Sequence, residues 1–407
     1  MFSSRIVLNQ QQIEAINWRN LQRMETELTD LQEEEMEVSP EQLQMMYHLD
    51  KLAQEPRYNK DGILYEEPFY EALKQQINTS VPDDIQPVQC AVAVQNALIR
   101  AWPTMAGSYR LDEIGELDRF AVSVLKLGEP VWIYCQDVSG LWSYIQNTQV
   151  CGWVLSDSLA LEPDAWRWQQ YCSSRDQVVV ADSRRILEYV DFHGIAQKQM
   201  LMMGTRLPLY DATRDTFLIG LPIRDQRGNL ATLQVMVPRD GSLVPGWMPI
   251  SAQNIISQAK KMLGEPYGWG GSNFHRDCTS LVSDVYAVFG LLFPRNSRQQ
   301  MQMFGIENCP VDSTQKYQFI SSLMPGAVLY FPGHAMLYLG QTNGELEILH
   351  SVYAIGLPDK ETLVPHKIRR VVEGHLHQQR VSGETLFDAV KAVWVPDHQK
   401  QFLDSGR

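Results

Sequence analysis

Residues 262–298 read MLGEPYGWGGSNFHRDCTSLVSDVYAVFGLLFPRNSR, and this stretch joins a glycine-rich loop to a cysteine. The apolar residues after Cys278 recur at helical spacing until Gly290, which predicts a helix that begins at the cysteine. A thiol at a helix N-terminus faces unpaired N–H groups and the positive end of the helix dipole, and both favour its anion. The sequence therefore predicts that Cys278 is a nucleophile with a readily lost proton.

Two histidines further along the chain are candidates for the base that such a nucleophile needs. His334 follows a Pro-Gly turn and opens an alternating apolar run, and His350 ends a second strand-like run. Asn343-Gly344 lies between the two runs and is a strong hairpin signal, so we expect neighbouring strands. On this arrangement His334 acts as the base toward Cys278, and His350 holds the His334 ring in one tautomer.

Five short blocks occur in order in the last third of the chain: GEPYGWGG, RDCTSLV, PRNS, PGHAMLYLG and ILHS. Together they resemble the NlpC family of bacterial cell-wall cysteine peptidases, whose members have a papain-like core. The resemblance implies that Cys278, His334 and His350 form the catalytic triad. Thr279 is a departure, because many relatives have serine after the cysteine, and its extra methyl group is expected to crowd the pocket.

The length of 407 residues predicts more than one domain. Residues 1–85 are polar with a helical pattern, and they resemble the N-terminal clip domain of multidomain NlpC relatives. Residues 86–170 and 171–250 are predicted as two small β-barrels, here called the first and second barrel. Both are predicted to be SH3-like barrels, and Gly128-Glu129-Pro130-Val131 and Gly152-Trp153-Val154 of the first resemble a bacterial SH3-like domain. Residues 251–407 are predicted as the C-terminal domain, which makes the expected fold class a multidomain α+β protein with a papain-like C-terminal core.

Local signals refine this division. Helices are expected over residues 10–31, 40–54 and 68–76, and Ser251 is expected to cap the first helix of the C-terminal domain. Strands of the second barrel are expected from Met200 to Ile250. The barrels end on a shared glycine-tryptophan pattern, which suggests a duplicated module: Gly152-Trp153-Val154 and Gly246-Trp247-Met248.

The resemblance also implies a substrate. Relatives with two barrels ahead of the NlpC core resemble enzymes that cleave the γ-D-glutamyl bond to the diamino acid of murein peptides with a free N-terminal L-Ala. Asp277 is expected to cap the Cys278 helix and to pair with the substrate amine through its second oxygen. Glu129 of the first barrel is a further candidate partner for the amine. By resemblance the pocket is lined by Tyr267, Trp269, Asp277, Thr279 and Ser297.

Composition limits the other possibilities. The net charge of −13, without a Lys/Arg cluster, argues against a nucleic-acid partner. No apolar run approaches the length of a membrane span, and residues 1–20 lack the apolar core of a secretory signal. We therefore expect a bacterial protein that is cytoplasmic as the chain is given, or periplasmic or in the cell envelope if a leader has been removed. The sequence leaves the oligomeric state open.

The cysteines and histidines give no sign of a metal or cofactor. The six cysteines have no metal-ligand spacing, and His375 and His377 have no third ligand nearby in sequence, so no metal and no cofactor are expected. Five cysteines remain beside Cys278, which favours reduced thiols, although a bridge between Cys135 and Cys151 stays possible.

Two alternatives to cleavage of released peptides stay open. One is a wall-binding scaffold that no longer turns over substrate, although the presence of all three triad residues argues against it. The other is an endopeptidase that acts on intact cross-linked peptidoglycan. Extra barrels are expected to narrow the cleft and to favour small peptides.

Overall fold

The computed structural model describes residues 3–24, 27–32, 37–41, 43, 55–78, 86–192, 194–359 and 362–396. Most of the helix predicted over residues 40–54 lies outside the described residues. In the part of the chain that is described, no helix combines the length and the apolar character needed to cross a membrane.

The described helices of residues 1–85 pack on two different partners. Ile13 and Ile16 of the first helix belong to a buried cluster of the C-terminal domain, whereas Leu73 and Ile77 of the second belong to a cluster of the first barrel. Among the described residues these helices therefore brace the other domains and share no core of their own. The elements are α1, Gln10–Arg23; β1, Glu37–Val38; α2, Glu67–Asn78; and β2, Gln86–Pro87.

The first barrel is a seven-stranded antiparallel sheet in the order β5-β4-β8-β7-β6-β3-β9. Leu125 of one edge strand and Leu159 of the other belong to the same buried cluster, so the sheet curls around a common core. Its strands are β3, Gln89–Ala93; β4, Ala97–Arg100; β5, Ala121–Leu125; β6, Pro130–Gln136; β7, Trp142–Gln146; β8, Cys151–Leu155; and β9, Leu159–Leu161.

The second barrel follows helix α3, Ala165–Ser173, and its first strand begins at Gln177, well before the predicted Met200. It combines a five-stranded sheet, in the order β15-β14-β13-β10-β16, with a separate hairpin of β11 and β12. The strands are β10, Gln177–Val180; β11, Arg184–Val190; β12, Ala196–Met202; β13, Arg206–Ala212; β14, Thr216–Arg224; β15, Leu230–Pro238; and β16, Leu243–Pro245.

The glycine-tryptophan echo does not mark equivalent barrel endings. Trp153 is fully buried inside β8, whereas Trp247 follows the last strand of the second barrel. The Trp247 ring lies so close to Gly290 of the C-terminal domain that a Cβ at that glycine would meet the indole at 2.9 Å. The two tryptophans therefore have different partners, and the pattern is no evidence for duplication.

The C-terminal domain packs helices against a six-stranded sheet in the order β17-β22-β18-β19-β20-β21. Ser251 accepts a hydrogen bond from the Asn254 N–H, which confirms the predicted cap of the first helix. The helices are α4, Ala252–Lys260; α5, Cys278–Ala287; α6, Ser297–Gln300; α7, Ser313–Ser321; and α8, Leu386–Ala389. The strands are β17, Ile306–Asn308; β18, Val328–Phe331; β19, His334–Thr342; β20, Glu345–Asp359; β21, Thr362–His375; and β22, Ala392–Trp394.

The hairpin between β19 and β20 confirms the prediction from Asn343-Gly344. Both turn residues have positive φ angles, 52° and 87°, as a tight hairpin turn requires. Val282 of α5 packs on Leu337 and Leu349 of these strands in one buried cluster. The packing places the start of α5 beside the start of β19.

The glycine-rich loop lies between the first barrel and the C-terminal domain. Gly270 and Gly271 both have positive φ angles, and each faces strand β5. A Cβ at Gly270 would overlap the carbonyl oxygen of Ala121, and a Cβ at Gly271 would overlap the Val124 side chain. The glycines therefore allow the barrel backbone to approach the loop before Cys278.

Candidate active site

Cys278 is the first residue of α5, as the sequence predicts, and its side chain is only 8 % exposed. Asp277 is the N-cap and forms a capping box with Ser280. The Cys278 sulfur faces the backbone N–H groups of Ala335 and Thr279, and both favour the thiolate. Because Ala335 follows His334 on β19, this contact brings the thiol to the edge of the sheet that carries the predicted base.

His334 and His350 are hydrogen-bonded to each other across the hairpin. The His334 Nε2 and His350 Nδ1 atoms are 2.9 Å apart, and the two rings are nearly perpendicular at 71°. This contact leaves Nδ1 as the His334 nitrogen that is free to meet a thiol. His350 is buried, and its Nε2 atom has no hydrogen-bond partner among the described residues.

The ionisation of Cys278 differs from the prediction, and the pKa values of both histidines are also shifted. Burial, reinforced by the Asp277 carboxylate, raises the pKa of the Cys278 thiol to about 12, so the expectation of a readily lost proton is wrong for the free protein. Burial and the Arg380 cation lower the pKa of His334 to about 4. Burial and neighbouring His334 likewise hold the pKa of His350 well below its ordinary value. In the free protein the Cys278 thiol and the His334 imidazole are therefore both neutral at pH 7.

Both carboxylate oxygens of Asp277 are engaged within the protein. Oδ1 accepts hydrogen bonds from Ser280, from Thr279 and from Arg295, and Oδ2 accepts from the Gly270 N–H at 3.2 Å and from Arg295 Nη2 at 2.6 Å. Burial alone would raise the pKa of Asp277, but Arg295 and the hydrogen bonds outweigh it and lower the pKa. The prediction of a carboxylate oxygen free for a substrate amine is therefore wrong in this structure.

Thr279 and Ser297 also use their hydroxyl groups inside the protein. Thr279 Oγ1 donates to Asp277 at 3.1 Å and accepts from Arg295 Nη1 at 2.9 Å. Ser297 Oγ accepts from the N–H of Gly333, in the turn before β19, at 2.9 Å. Thr279 therefore contacts the N-cap of the helix that begins at Cys278, and Ser297 contacts the turn that precedes His334. Their predicted contact with substrate stays a prediction.

Tyr267 and Trp269 lie at the joint with the first barrel. Burial raises the pKa of Tyr267 well above its ordinary value, and Cys278 and the Asp277 carboxylate add to the shift. The Arg119 guanidinium lies 4.2 Å from the centroid of the Trp269 ring. Their predicted role in substrate binding remains a prediction.

The first barrel forms a wall beside this joint, which sequence reasoning missed. Glu116 accepts a hydrogen bond from Tyr353 of β20 and pairs with Lys367 at 3.2 Å and with Arg369 at 2.5 Å. The rings of Tyr353 and Tyr267 are 5.9 Å apart. The barrel therefore contacts the long β20–β21 hairpin next to the predicted pocket.

Glu129 is not brought to the nucleophile. It lines a cavity of about 340 Å³ whose walls come from residues 17–32, both barrels and α5, and none of Cys278, His334 and His350 lines this cavity. Its carboxylate accepts from Asn147 Nδ2 at 3.3 Å, and burial raises its pKa. The predicted contact of Glu129 with the substrate amine remains a prediction.

A buried charge network joins both barrels to α5. Asp284 accepts from Lys126 of the first barrel at 2.6 Å and from Arg276 at 2.6 Å. Arg276 also donates to Ser183 O of the second barrel at 3.0 Å, and its own carbonyl accepts from Ser351, next to His350. Arg276 directly precedes Asp277 in the quoted RDC block, but nothing in the sequence pairs it with these distant residues.

The described residues contain no group of three or more His, Cys, Asp or Glu side chains arranged to hold a metal ion. His375 and His377 are half-exposed, and both lie near Glu345, at 3.8 Å and 4.0 Å. The structure contains no disulfide among the described residues, and Cys135 and Cys151 are not bridged.

Comparisons with known proteins agree with this architecture. Residues 264–357 match the NlpC/P60 family, and residues 115–155 match the SH3 domain of the SH3b1 type. The C-terminal domain is thus an NlpC/P60 domain, and an SH3 domain lies in the first barrel. A dipeptidyl-peptidase 6 of Lysinibacillus sphaericus is 36 % identical over 91 residues, which are 22 % of this chain and 30 % of that protein. The match therefore spans less than a third of that relative.

Two solved structures share the fold over most of their length. An NlpC/P60 endopeptidase from Photobacterium damselae subsp. piscicida superposes with a TM-score of 0.77 at 17 % identity, over 96 % of this chain and 94 % of that one. An NlpC/P60 family protein from Bacillus cereus has a TM-score of 0.51 at 16 % identity, over 75 % of this chain and 98 % of that one. At these identities the likeness establishes the arrangement of domains and not the specificity.

Proposed function

We propose that the protein is a cysteine peptidase that hydrolyses the γ-D-glutamyl bond to the diamino acid in murein peptides with a free N-terminal L-Ala. The observation that carries the proposal is the His334–His350 hydrogen bond, together with the contact of the Cys278 sulfur with the backbone N–H of Ala335, the residue after His334. A nucleophile, a base and an orienting group in this order are the parts that acyl transfer to water requires.

In the proposed reaction the Cys278 sulfur attacks the γ-carbonyl carbon of the D-glutamyl residue while His334 Nδ1 takes the thiol proton. The C–N bond then breaks, the leaving amine receives that proton, and a thioester with Cys278 remains. Water, deprotonated by His334, hydrolyses the thioester and releases L-Ala-γ-D-Glu. The neutral resting state of both groups suits this sequence, because the base begins with its proton-accepting nitrogen free.

The name of the Lysinibacillus relative supports the position of the cut. A dipeptidyl peptidase removes two residues from a free N-terminus, and L-Ala-γ-D-Glu is such a dipeptide. The contact between the first barrel and the β20–β21 hairpin supports a cleft that is narrowed on one side, which favours released peptides over the intact polymer.

The test is hydrolysis of L-Ala-γ-D-Glu-diamino acid peptides with a free or an acetylated L-Ala amine. We expect L-Ala-γ-D-Glu as the product from the free peptide and a clearly lower kcat/KM for the acetylated one. Equal cleavage of both, together with release of peptides from purified peptidoglycan sacculi, would favour the endopeptidase on intact wall. No hydrolysis of any of these substrates would favour the silent scaffold.

A further inference from the structure

Arg295 links three parts of the molecule through one buried guanidinium. Its Nη1 and Nη2 atoms form a fork on the Asp277 carboxylate, at 3.2 Å and 2.6 Å. Its Nη1 also donates to Thr279 Oγ1 at 2.9 Å, and its Nε donates to Ser123 Oγ at 3.1 Å. Asp277 and Thr279 flank Cys278, whereas Ser123 lies on β5 of the first barrel.

The fork has an electrostatic consequence for the nucleophile. An uncompensated carboxylate next to Cys278 disfavours the thiolate by like-charge repulsion. The Arg295 cation acts on the same sulfur in the opposite direction and neutralises the carboxylate within a buried site. A planar guanidinium can hold the carboxylate with two donors and still direct its Nε to a third group, which an ammonium cannot reproduce.

We propose that Arg295 is a positioning residue that anchors the helix of Cys278 to Ser123 of the first barrel, so that the reactivity of the thiol depends on the docked barrel. The inference rests on the proposed function only in taking Cys278 as the nucleophile. It assigns the first barrel a part in the chemistry of the site, in addition to any part in shaping the cleft.

The test measures the rate at which iodoacetamide alkylates Cys278 at pH 7.5 in the full chain, by mass spectrometry of the Cys278 peptide. Alkylation of Cys309, which packs in a separate cluster, is the internal reference. Arg295→Met should slow alkylation of Cys278 by at least about tenfold, the equivalent of one pKa unit. Adding Asp277→Asn removes the uncompensated charge and should restore most of the lost rate.

Ser123→Ala tests the barrel contact with a smaller change. Loss of one hydrogen bond to a charged partner should slow alkylation by about two- to tenfold. Ser158→Ala is the matched control, because Ser158 is a buried serine of the same barrel whose hydroxyl bonds to Leu155 O at 2.6 Å, away from Arg295. In this control, Cys278 should be alkylated at the wild-type rate.

Three results would overturn the proposal. The first is a folded Arg295→Met variant that alkylates at the wild-type rate. The second is a double variant as slow as Arg295→Met alone, which would assign the loss to structural damage. The third is a Ser123→Ala variant in which Cys278 is alkylated at the same rate as in Ser158→Ala. This result decides the question if Arg295→Met does not fold. None of these readouts needs peptide hydrolysis, so a failure of the proposed function would show separately, as the expected changes in the alkylation rate of Cys278 without any turnover of peptide.

Discussion

His334 Nε2 lies 2.9 Å from His350 Nδ1, and this hydrogen bond joins the first residue of β19 to β20. In the proposed reaction His334 Nδ1 accepts the thiol proton of Cys278, which requires the ring to carry its own proton on Nε2 and to donate it to His350. We therefore propose that His350 selects the reactive tautomer of His334. On the same proposal it stabilises the imidazolium that forms when the thiol loses its proton.

The two histidines should differ in their effect on turnover. His334→Ala removes the base and should lower kcat by about 10²–10⁴-fold, whereas His350→Ala removes the orienting partner and should cost less. The measurement is steady-state hydrolysis of the L-Ala-γ-D-Glu-diamino acid peptide. If His350→Ala were as active as the wild type, the third member of the site would have to lie elsewhere.

The same histidines should make the protein sensitive to mild acid. Their pKa values are lowered in the fold, to about 4 for His334 and well below the ordinary value for His350, while the unfolded chain protonates near pH 6.5. Between pH 6.5 and pH 4 the unfolded state binds more protons, so the free energy of unfolding should fall by up to roughly 1.4 kcal/mol per pH unit for each histidine. Urea unfolding across this range checks the slope. His350→Asn should flatten it, and an unchanged slope in that variant would contradict the assignment.

Asp277→Asn should destabilise the protein through Arg295 rather than through the helix cap. Asn caps a helix about as well as Asp, but the buried guanidinium loses its charged partner, at a cost of about 3–5 kcal/mol. Asp312→Asn is the control, because Asp312 caps α7 at an exposed site, where its carboxylate accepts the Gln315 N–H. Its free energy of unfolding should change by less than about 0.5 kcal/mol. Similar losses in both variants would contradict the role given to Arg295.

Gly271→Ala should weaken the docking of the first barrel. The new Cβ would overlap Val124 and add about 1–3 kcal/mol of overpacking to the strain of the positive φ angle. Gly264→Ala separates the two effects, because Gly264 has almost the same φ, 81° against 83°, with nothing within 4 Å of its Cβ. We expect Gly271→Ala to lower both the melting temperature and kcat/KM more than Gly264→Ala. Equal values for the two variants would mean that barrel contact at this loop is unimportant.

The helix that begins at Cys278 and the hairpin that carries His334 and His350 could be predicted from short stretches of consecutive residues. The start of α5 at Cys278 follows from the apolar spacing after it, and the hairpin that pairs β19 with β20 follows from Asn343-Gly344. Such features depend on a few consecutive residues, whose preferences decide the backbone conformation. The strand that carries His334 could be placed beside that of His350 for this reason.

The contacts of Asp277 could not be predicted in this way. Arg295 lies 18 residues further along the chain, and its other partner, Ser123, is 172 residues before it. Proximity to the nucleophile gave Asp277 a functional interpretation, but tertiary packing supplies the counter-charge that satisfies it. The prediction of a low pKa for the Cys278 thiol was wrong for a related reason. The sequence shows that Cys278 begins a helix, but it does not show the burial that raises the pKa.

The position of Glu129 could not be predicted either, because the sequence assigns a residue to a barrel without fixing which side of the barrel faces α5. The structure turns β5 toward the glycine loop and directs Glu129 into the cavity behind α5. The consecutive glycines Gly270 and Gly271 were the one sequence signal for this contact. Because glycine has no side chain, such a pair is suited to a loop that another backbone approaches closely.

Hydrolysis by Cys278 is tested most directly by comparing Cys278→Ala with Cys309→Ala on the free L-Ala-γ-D-Glu-diamino acid peptide. Both substitutions remove one thiol, but Cys309 packs beside a cluster on the other face of the sheet. If Cys278 is the nucleophile, Cys278→Ala should lose at least about 10⁴-fold in kcat/KM, while Cys309→Ala should stay close to the wild type. Measurable turnover by purified Cys278→Ala, at a rate near that of Cys309→Ala, would contradict this role of Cys278.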